Sequence, residues 1–335
     1  MYSKTSLLIG RLSRNRELLV LGPVYFFLSL TNLILKLRET AAWTNGVLVN
    51  DHNTLLAFQY YNNEQSRLFQ FLIPEFLHQM FSLSIVSSYA LARLLFVFMA
   101  FLVFHLFLRK WFNQAASIAG VLILSGSMAI TFLVGDLQES APLLMLLFVL
   151  GLWAIREKRD VLFGVLLLLG GGLTNETMLV LGAGYFFYRL PSARARDIFR
   201  TGFRTALVAL PALLTQSVIR YINRNQPHLG GAYHLPENLL GIWDEMQHPV
   251  ETLFQGKYIY PFLIFSIFWI YAVLGYPKSP RFLRSVFWLV PLFLTANMIT
   301  GGISESRQMI PLAFILIPMS LFFIFPNSGP ETRNP

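Results

Sequence analysis

The sequence predicts an all-α integral membrane protein, and its composition, hydropathy and apolar runs lead to that fold class. Of its 335 residues, 55% are hydrophobic and only 13% are charged, about half the charged share of an ordinary soluble domain. The mean hydropathy is +0.56. Apolar runs suited to membrane-spanning helices recur along the chain. A soluble fold would lack the polar surface to cover such a core, so the bilayer is the expected solvent.

The apolar runs predict about ten transmembrane helices in one polytopic domain, residues 18–325. The segments lie at 18–37, 88–108, 115–134, 141–155, 161–173, 178–190, 202–222, 258–276, 282–300 and 309–325. Two long polar loops, 38–87 and 223–257, interrupt them. A basic segment, 1–17, precedes this domain, and a polar tail, 326–335, follows it. The first apolar segment is expected to be retained, because Lys36 and Arg38 follow it where a signal peptide would have small residues.

Basic residues predict the orientation. If the amino terminus is cytoplasmic, 18 of the 26 Lys and Arg fall on the cytoplasmic side, seven fall outside, and Arg93 lies within a helix. This asymmetry follows the positive-inside rule. Both long loops and 12 of the 17 acidic residues then lie outside. We therefore expect a multi-pass plasma-membrane protein with its polar site on the extracytoplasmic face. The net charge of +9 reflects this sorting and does not indicate a nucleic-acid partner.

Two neighbouring apolar segments, 161–173 and 178–190, are too short to cross a bilayer. Thirteen residues of helix reach about 20 Å, whereas the hydrocarbon core is about 30 Å thick. The polar step between them holds Asn175 and Glu176. The pattern predicts a short hairpin whose tip is recessed and faces a protein cavity, because polar backbone at membrane depth is tolerated only there.

Four polar sites are expected on the outer face. They are Asp51 with His52 and Asn53, Asp136 with Glu139 in GDLQES, Asn175 with Glu176, and Glu305 with Arg307 in GGISESRQ. Ionisable residues near membrane depth indicate function, but each site has a simpler alternative. Asp51 could cap the helix TLLAFQYY or be solvated. Glu176 could form a buried pair with an arginine, one acid of GDLQES could be solvated, and Glu305 and Arg307 could pair with each other.

Histidines in the second loop raise the question of a metal site. His228, His234 and His248 are spaced by six and fourteen residues and lack the local pair of a metalloprotease helix. With no Cys in the chain, thiolate ligands are absent. We therefore predict no protein metal ligands and favour an interfacial or substrate-binding role, while a divalent-metal requirement stays open. Leu239, Leu240, Ile242 and Trp243 predict an interfacial helix there.

Several motifs, taken together, resemble those of the membrane glycosyltransferases of the GT-C class, which include protein O-mannosyltransferases and lipid A aminoarabinose transferase. A basic start and one helix lead to a long outer loop with an early acid, Asp51, and then Tyr60 and Tyr61. SYALARLLF precedes the short acidic loop GDLQES. A short-helix hairpin carries LTNETMLVL, and ESRQMIPLAFILIP opens a late helix.

The resemblance implies sugar transfer from a polyprenyl-phosphate donor to an acceptor outside the cell. It implies Asp51 as the general base, Glu139 or Asp136 as a second acid, and Arg307 near the donor phosphate. His52, Tyr60, Tyr61, Glu176 and Glu305 would line the substrate site. The implied partners are the lipid-linked donor, membrane lipid and envelope-assembly proteins.

The sequence departs from this class in specific ways. Asn175 stands where many relatives have a basic residue before the Glu-Thr pair, and Asp51 lacks an adjacent acid. Ten helices are few for the class, and no soluble carboxy-terminal domain is expected after them. The alternatives therefore kept are a non-catalytic GT-C-like subunit, a transporter or flippase, and a polysaccharide polymerase.

Overall fold

All regular elements that the structure describes are helical. The computed structural model describes residues 4–39, 43, 45–60, 63–131, 139–224, 233–255, 258, 260–301, 303 and 306–326, and these contain no strand. The all-α prediction is therefore confirmed for this part of the chain. Tyr61, Asp136, His228 and Glu305 lie outside the described residues, as does the side chain of Arg307.

Sixteen α-helices are described in these ranges. They are α1 (Lys4–Glu39), α2 (Val47–Leu56), α3 (Leu68–Phe81), α4 (Ile85–Leu108), α5 (Gln114–Thr131), α6 (Ala141–Arg156), α7 (Asp160–Leu167), α8 (Leu181–Arg189), α9 (Ala195–Ile222), α10 (Leu235–Gln247), α11 (Pro249–Gln255), α12 (Tyr260–Phe265), α13 (Phe268–Gly275), α14 (Arg281–Val286), α15 (Leu289–Thr300) and α16 (Ala313–Ile324). Shorter turns between them include 3₁₀ turns at Asn63–Ser66, Glu176–Val180, Tyr276–Lys278 and Ser306–Leu312, and a π turn at Leu168–Gly172.

Helix lengths agree with a membrane protein. Within the described residues, five helices are long and apolar enough to cross a bilayer: Arg16–Glu39, Ile85–Leu108, Gln114–Thr131, Ala195–Ile222 and Arg281–Thr300. The apolar helices Ala141–Arg156, Asp160–Gly172 and Gln308–Ile324 are shorter. Where they are described, the predicted apolar segments fall on helical structure, but several break into two short helices.

The core of the bundle is built around α4, α6 and α16. Every residue from Ala313 to Leu321 in α16 is buried, and Phe104 of α4 meets Phe314 edge to face with ring centroids 5.0 Å apart. Helix α13 packs closely on α16 because Gly275 has no side chain: a Cβ there would lie 2.0 Å from the carbonyl oxygen of Met319. A helix with no polar face belongs in the interior of a large bundle.

Polar contacts join α1 to α4 at two levels. Near one end, Arg93 donates to Asn32 over 3.4 Å. Near the other end, the carboxylate of Glu17 accepts from His105 Nε2 at 2.8 Å and lies 3.0 Å from Arg109 Nε. Buried polar groups need such partners. The two contacts therefore fix the relative register of α1 and α4.

The predicted short hairpin is present, formed by α7, the π turn, the 3₁₀ turn Glu176–Val180 and α8. Its open end is closed by an ion pair between Arg189 and Asp160. Its two legs approach closely because Gly170 lacks a side chain: a Cβ there would lie 1.9 Å from Met178 Sδ. The π turn holds three glycines, Gly170 to Gly172, and π turns are frequent where a helix is locally distorted.

The two ends of the bundle differ in composition. We call the end that carries α2 and α3 the loop side and the end that carries Glu17 and Arg109 the basic side. The hairpin tip lies on the loop side, because Glu176 pairs with Arg67, the residue before α3. Arg220, near the end of α9, also reaches Glu176. The first turns of α9 therefore lie on the basic side, about 42 Å along the helix axis from its far end.

Candidate functional site

Helix α2 places Asp51 on the loop side. The helix begins at Val47, after Asn45 Oδ1 accepts from the Val47 amide at 3.2 Å. Asp51 thus lies in the second turn and does not cap TLLAFQYY, so the capping alternative is wrong. The residues Leu48, His52 and Leu55 form the buried face of α2, at spacings of four and three that put them on one side of a helix. Asp51 stands at the edge of that face.

The carboxylate of Asp51 is half-buried and accepts a hydrogen bond from Tyr60. Burial raises the pKa of the Asp51 carboxyl above its ordinary value, and the Tyr60 hydrogen bond acts in the opposite direction. A carboxylate with a raised pKa is a stronger base. Among the described residues no cation pairs with Asp51, so it has the environment expected of a general base that is not freely solvated.

A relay of hydrogen bonds runs beside Asp51. His52 is fully buried, with Nε2 3.0 Å from Glu75 Oε2 and Nδ1 3.1 Å from the Tyr89 hydroxyl. Gln79 donates to the other Glu75 oxygen at 2.7 Å. The hydrogen bonds from Gln79 and His52 lower the pKa of Glu75. An ionised carboxylate only accepts, so His52 donates to Glu75 through Nε2. His52 is therefore held in one orientation.

Glu139 is the centre of a charge cluster on the same side. Its Oε1 lies 2.8 Å from Lys36 Nζ and accepts from Trp43 Nε1 at 2.9 Å, and its Oε2 lies 3.9 Å from Arg93. The side chains of Lys36 and Arg93 are 0% and 1% exposed. Lys36 also lies 5.3 Å from the centroid of the Trp43 ring, within cation–π distance. Two cations therefore share one carboxylate.

A narrow cavity lies beside Glu139. It lies between α3, α4 and the start of α6, and has room for little more than a water molecule. The polar residues at its wall are Gln70, Tyr89, Arg93, Glu139, Ser140 and Thr174. The Oε1 of Gln70 is buried and meets no hydrogen-bond donor among the described residues. This wall therefore offers an acceptor for a hydroxyl or water proton.

The hairpin tip contributes a second ion cluster. Arg67 Nη2 lies 3.2 Å from Glu176 Oε1 and its Nε lies 3.4 Å from Oε2, while Arg220 lies 3.8 Å from Oε1. The pairing of Glu176 with arginine, one of the sequence alternatives, is confirmed. Asn175 caps the turn by accepting from the Thr177 amide at 3.0 Å and donates to Ser140 at 3.3 Å. This bond ties the tip to the residue after Glu139.

The structure brings several predicted residues together. The Tyr89 hydroxyl is hydrogen-bonded to His52, the neighbour of Asp51, and Tyr89 and Glu139 line the same cavity. Glu176 adjoins this group through Arg67 and Asn175. Tyr60 is buried against Leu55 and Phe71. Asp136, Tyr61 and Glu305 and the side chain of Arg307 fall outside the description.

Sequence reasoning missed Lys36, Arg93, Arg67 and Tyr89 as members of this site. By sequence alone, Lys36 flanks the first apolar segment and Arg93 is a residue within a helix. A charged residue inside an apolar helix is a functional signal by itself, and Arg93 carried that signal. The sequence around Arg67 and Tyr89 gives no sign of their roles, because these depend on contacts with Glu176 and His52, which lie elsewhere in the chain.

Histidines of the second loop do not meet in the described residues. His234 Nδ1 is 3.0 Å from Glu237, and His248 Nδ1 is 3.7 Å from Glu251, each three residues away on one helix. No group of three or more His, Asp or Glu side chains within the described ranges could hold a metal ion.

Comparison of the chain with protein-family models, with curated proteins and with solved structures finds no match.

Proposed function

We propose that this chain is a GT-C-class membrane glycosyltransferase that moves a sugar from a polyprenyl-phosphate donor to an acceptor on the extracytoplasmic face. The observation that carries the proposal is the Asp51 carboxylate, half-buried, with its pKa raised, on the same side as two clusters of cations paired with carboxylates. Sugar transfer of this kind requires a general base, a cation for the leaving phosphate and a cavity, and candidates for all three lie on the loop side.

The chemistry assigned to Asp51 is proton removal. The acceptor hydroxyl gives its proton to the Asp51 carboxylate while its oxygen attacks the anomeric carbon from the side opposite the phosphate. The bond from that carbon to the phosphate oxygen breaks, and the electron pair leaves on the polyprenyl phosphate. The configuration is thereby inverted. Tyr60 orients the carboxylate, and Glu139 holds Lys36 together with Arg93, which borders the cavity.

The leaving phosphate requires a cation, and the hairpin tip offers one. Asn175 stands where relatives of the class carry a basic residue, but Arg67 and Arg220 bring two guanidinium groups to Glu176 from other elements. Two cations with one carboxylate leave one positive charge. The side chain of Arg220 is 56% exposed and 3.8 Å from Glu176, so it can turn to a phosphate, for which its planar fork of donors is suited. We assign Arg307 to the same phosphate.

We further propose about ten transmembrane segments, a cytoplasmic amino terminus and residence in the plasma membrane. The segregation of α2, α3 and the hairpin tip from the arginine-rich start of α9 supports this topology. The chain has no Cys, so single cysteines placed at Gln59 on the loop side and Ala193 on the basic side report unambiguously. In intact cells an impermeant maleimide should label Gln59→Cys only. Labelling of Ala193→Cys alone would show that the orientation in the membrane is the opposite of the proposed one.

The test of the function measures release of free polyprenyl phosphate, a product that does not depend on which sugar moves. Purified protein in nanodiscs is given a panel of polyprenyl-phosphate sugars together with envelope acceptors. We expect turnover by the native chain and a loss of about 100-fold or more in Asp51→Asn. Asp244→Asn, the same change at an exposed acid of α10, is the matched control and should keep full activity. Equal activity of Asp51→Asn and the native chain would remove Asp51 from the mechanism.

A non-catalytic subunit of an envelope-assembly complex is the second candidate. It is favoured by the cation partners of Glu139 and Glu176, which give both carboxylates a structural role. In that case the native chain shows no turnover with any donor, and Asp51→Asn supports envelope assembly in cells as well as the native chain does.

A further inference from the structure

The first three turns of α9 carry a cationic stripe on the basic side. Arg196, Arg200 and Arg204 are all exposed, and their spacing of four residues aligns them on one face of the helix. Like charges at this spacing repel one another. Among the described residues, no carboxylate lies within ion-pair distance of these three, and Asp197 is hydrogen-bonded to Ser192. The stripe therefore has uncompensated positive charge.

Two phenylalanines stand beside the stripe. Phe199 and Phe203 are 77% and 58% exposed. Farther along, α9 continues with exposed aliphatic residues, namely Leu207, Leu210, Leu214 and Val218. Arginine and aromatic residues followed by aliphatic ones are typical of a helix that passes from the headgroup layer into the hydrocarbon.

The opposite face of α9 fixes the direction of the stripe. Thr201 and Ala212 are buried, and Gln216 donates to the carbonyl of Gly172 at 3.0 Å. A Cβ on Gly182 of α8 would lie 3.8 Å from the methyl of Thr205. Because this face is packed against the hairpin and the three arginines are exposed, the stripe lies on the outer surface of the bundle.

We propose that this surface, Arg196, Arg200, Arg204, Phe199 and Phe203, binds the headgroup of an anionic diacyl phospholipid. The guanidinium groups bind the phosphate oxygens, and the two rings lie along the first part of the acyl chains. Clusters of basic residues next to a transmembrane helix attract anionic lipids through their charge. The inference does not depend on sugar transfer, and it requires only that α9 crosses the membrane.

The experiment compares phosphatidylglycerol with phosphatidylcholine. Full-length protein, purified in a neutral detergent, is titrated with each lipid, and bound lipid is counted by native mass spectrometry. We expect phosphatidylglycerol to bind in preference to phosphatidylcholine. The expected loss is about fivefold in phosphatidylglycerol affinity for each arginine changed to Gln, and the variant R196Q/R200Q/R204Q should bind both lipids equally.

The matched control is K158Q/R159Q/R284Q, which removes the same number of positive charges from exposed positions outside the stripe. It should retain the preference for phosphatidylglycerol. Should the triple variant of α9 fail to fold, as judged by size-exclusion chromatography, the three single variants carry the test. The proposal is overturned if the native chain has no preference, if the α9 variants keep it, or if the control loses as much as the α9 variant.

Discussion

Lys36 Nζ lies 2.8 Å from Glu139 Oε1, and this contact joins the end of α1 to the turn before α6. Arg93 of α4 approaches the other oxygen of the same carboxylate. Three segments that are far apart in the sequence thus meet at one charge. Breaking a buried pair by removing one partner is costly, because the remaining charge has been taken out of water.

This cluster predicts an order of stabilities. Glu139→Gln takes the carboxylate away from two buried cations and should cost about 3–5 kcal/mol. Lys36→Met should cost less, because it leaves Glu139 with Arg93 and keeps a side chain of similar length. Thermal unfolding in detergent measures both. The double variant Lys36→Met/Glu139→Gln should be more stable than Glu139→Gln alone, and the reverse order would mean that the Lys36 contact, and not the carboxylate, organises the site.

Substitutions of Arg67 and Arg220, the two arginines at Glu176, should have different effects on stability and on donor binding. Arg67→Gln removes both short contacts to Glu176 and should destabilise the protein by about 2 kcal/mol. Arg220→Gln removes an exposed, longer contact and should change stability by less than about 1 kcal/mol. If Arg220 serves the donor phosphate, its variant should raise the donor KM while the melting temperature stays near that of the native chain. A large loss of stability in Arg220→Gln would contradict this division.

Close packing of the hairpin predicts a strong effect at Gly170. In Gly170→Ala the new methyl group would lie 1.9 Å from Met178 Sδ, and Met178 is fully buried. Relief of this overlap should cost about 1–3 kcal/mol. Gly126→Ala in α5 is the control, because no atom lies within 4 Å of its added Cβ, and this variant should be neutral or slightly stabilised. Equal melting temperatures for the two variants would show that the hairpin legs are not packed as described.

The environment of Asp51 predicts the pH dependence of transfer. Only the ionised carboxylate can accept the proton, so kcat/KM should fall as the pH drops through the raised pKa of Asp51. The acid limb should therefore lie above the pH at which an ordinary aspartate titrates. Tyr60→Phe removes the hydrogen bond that lowers this pKa, so the limb should move to still higher pH. A limb that stays in place or moves down would show that another group titrates there.

The apolar segments of the sequence locate the helices of the bundle, whereas α2, α3 and α11 lie in the predicted loops between those segments. The segment 88–108 became α4 and 202–222 became most of α9, because a run of apolar side chains is a local property that specifies where a helix can be buried. The short lengths of 161–173 and 178–190 likewise predicted the hairpin. Breaks in the later segments were not predicted: 258–276 divides into α12 and α13, and Ser266 between them has a positive φ of 44°, which an apolar pattern does not indicate.

The membership of the polar site depended on tertiary structure. The sequence singled out Asp51, Glu139 and Glu176 because charge is costly in an apolar chain, yet it could not pair Glu139 with Lys36, Glu176 with Arg67 or His52 with Tyr89. Each partner comes from another segment of the chain, and its distance depends on how whole helices pack. Hydropathy and charge are summed along the chain, whereas an ion pair is specified by the position of two atoms in space, and only the packed bundle decides that position.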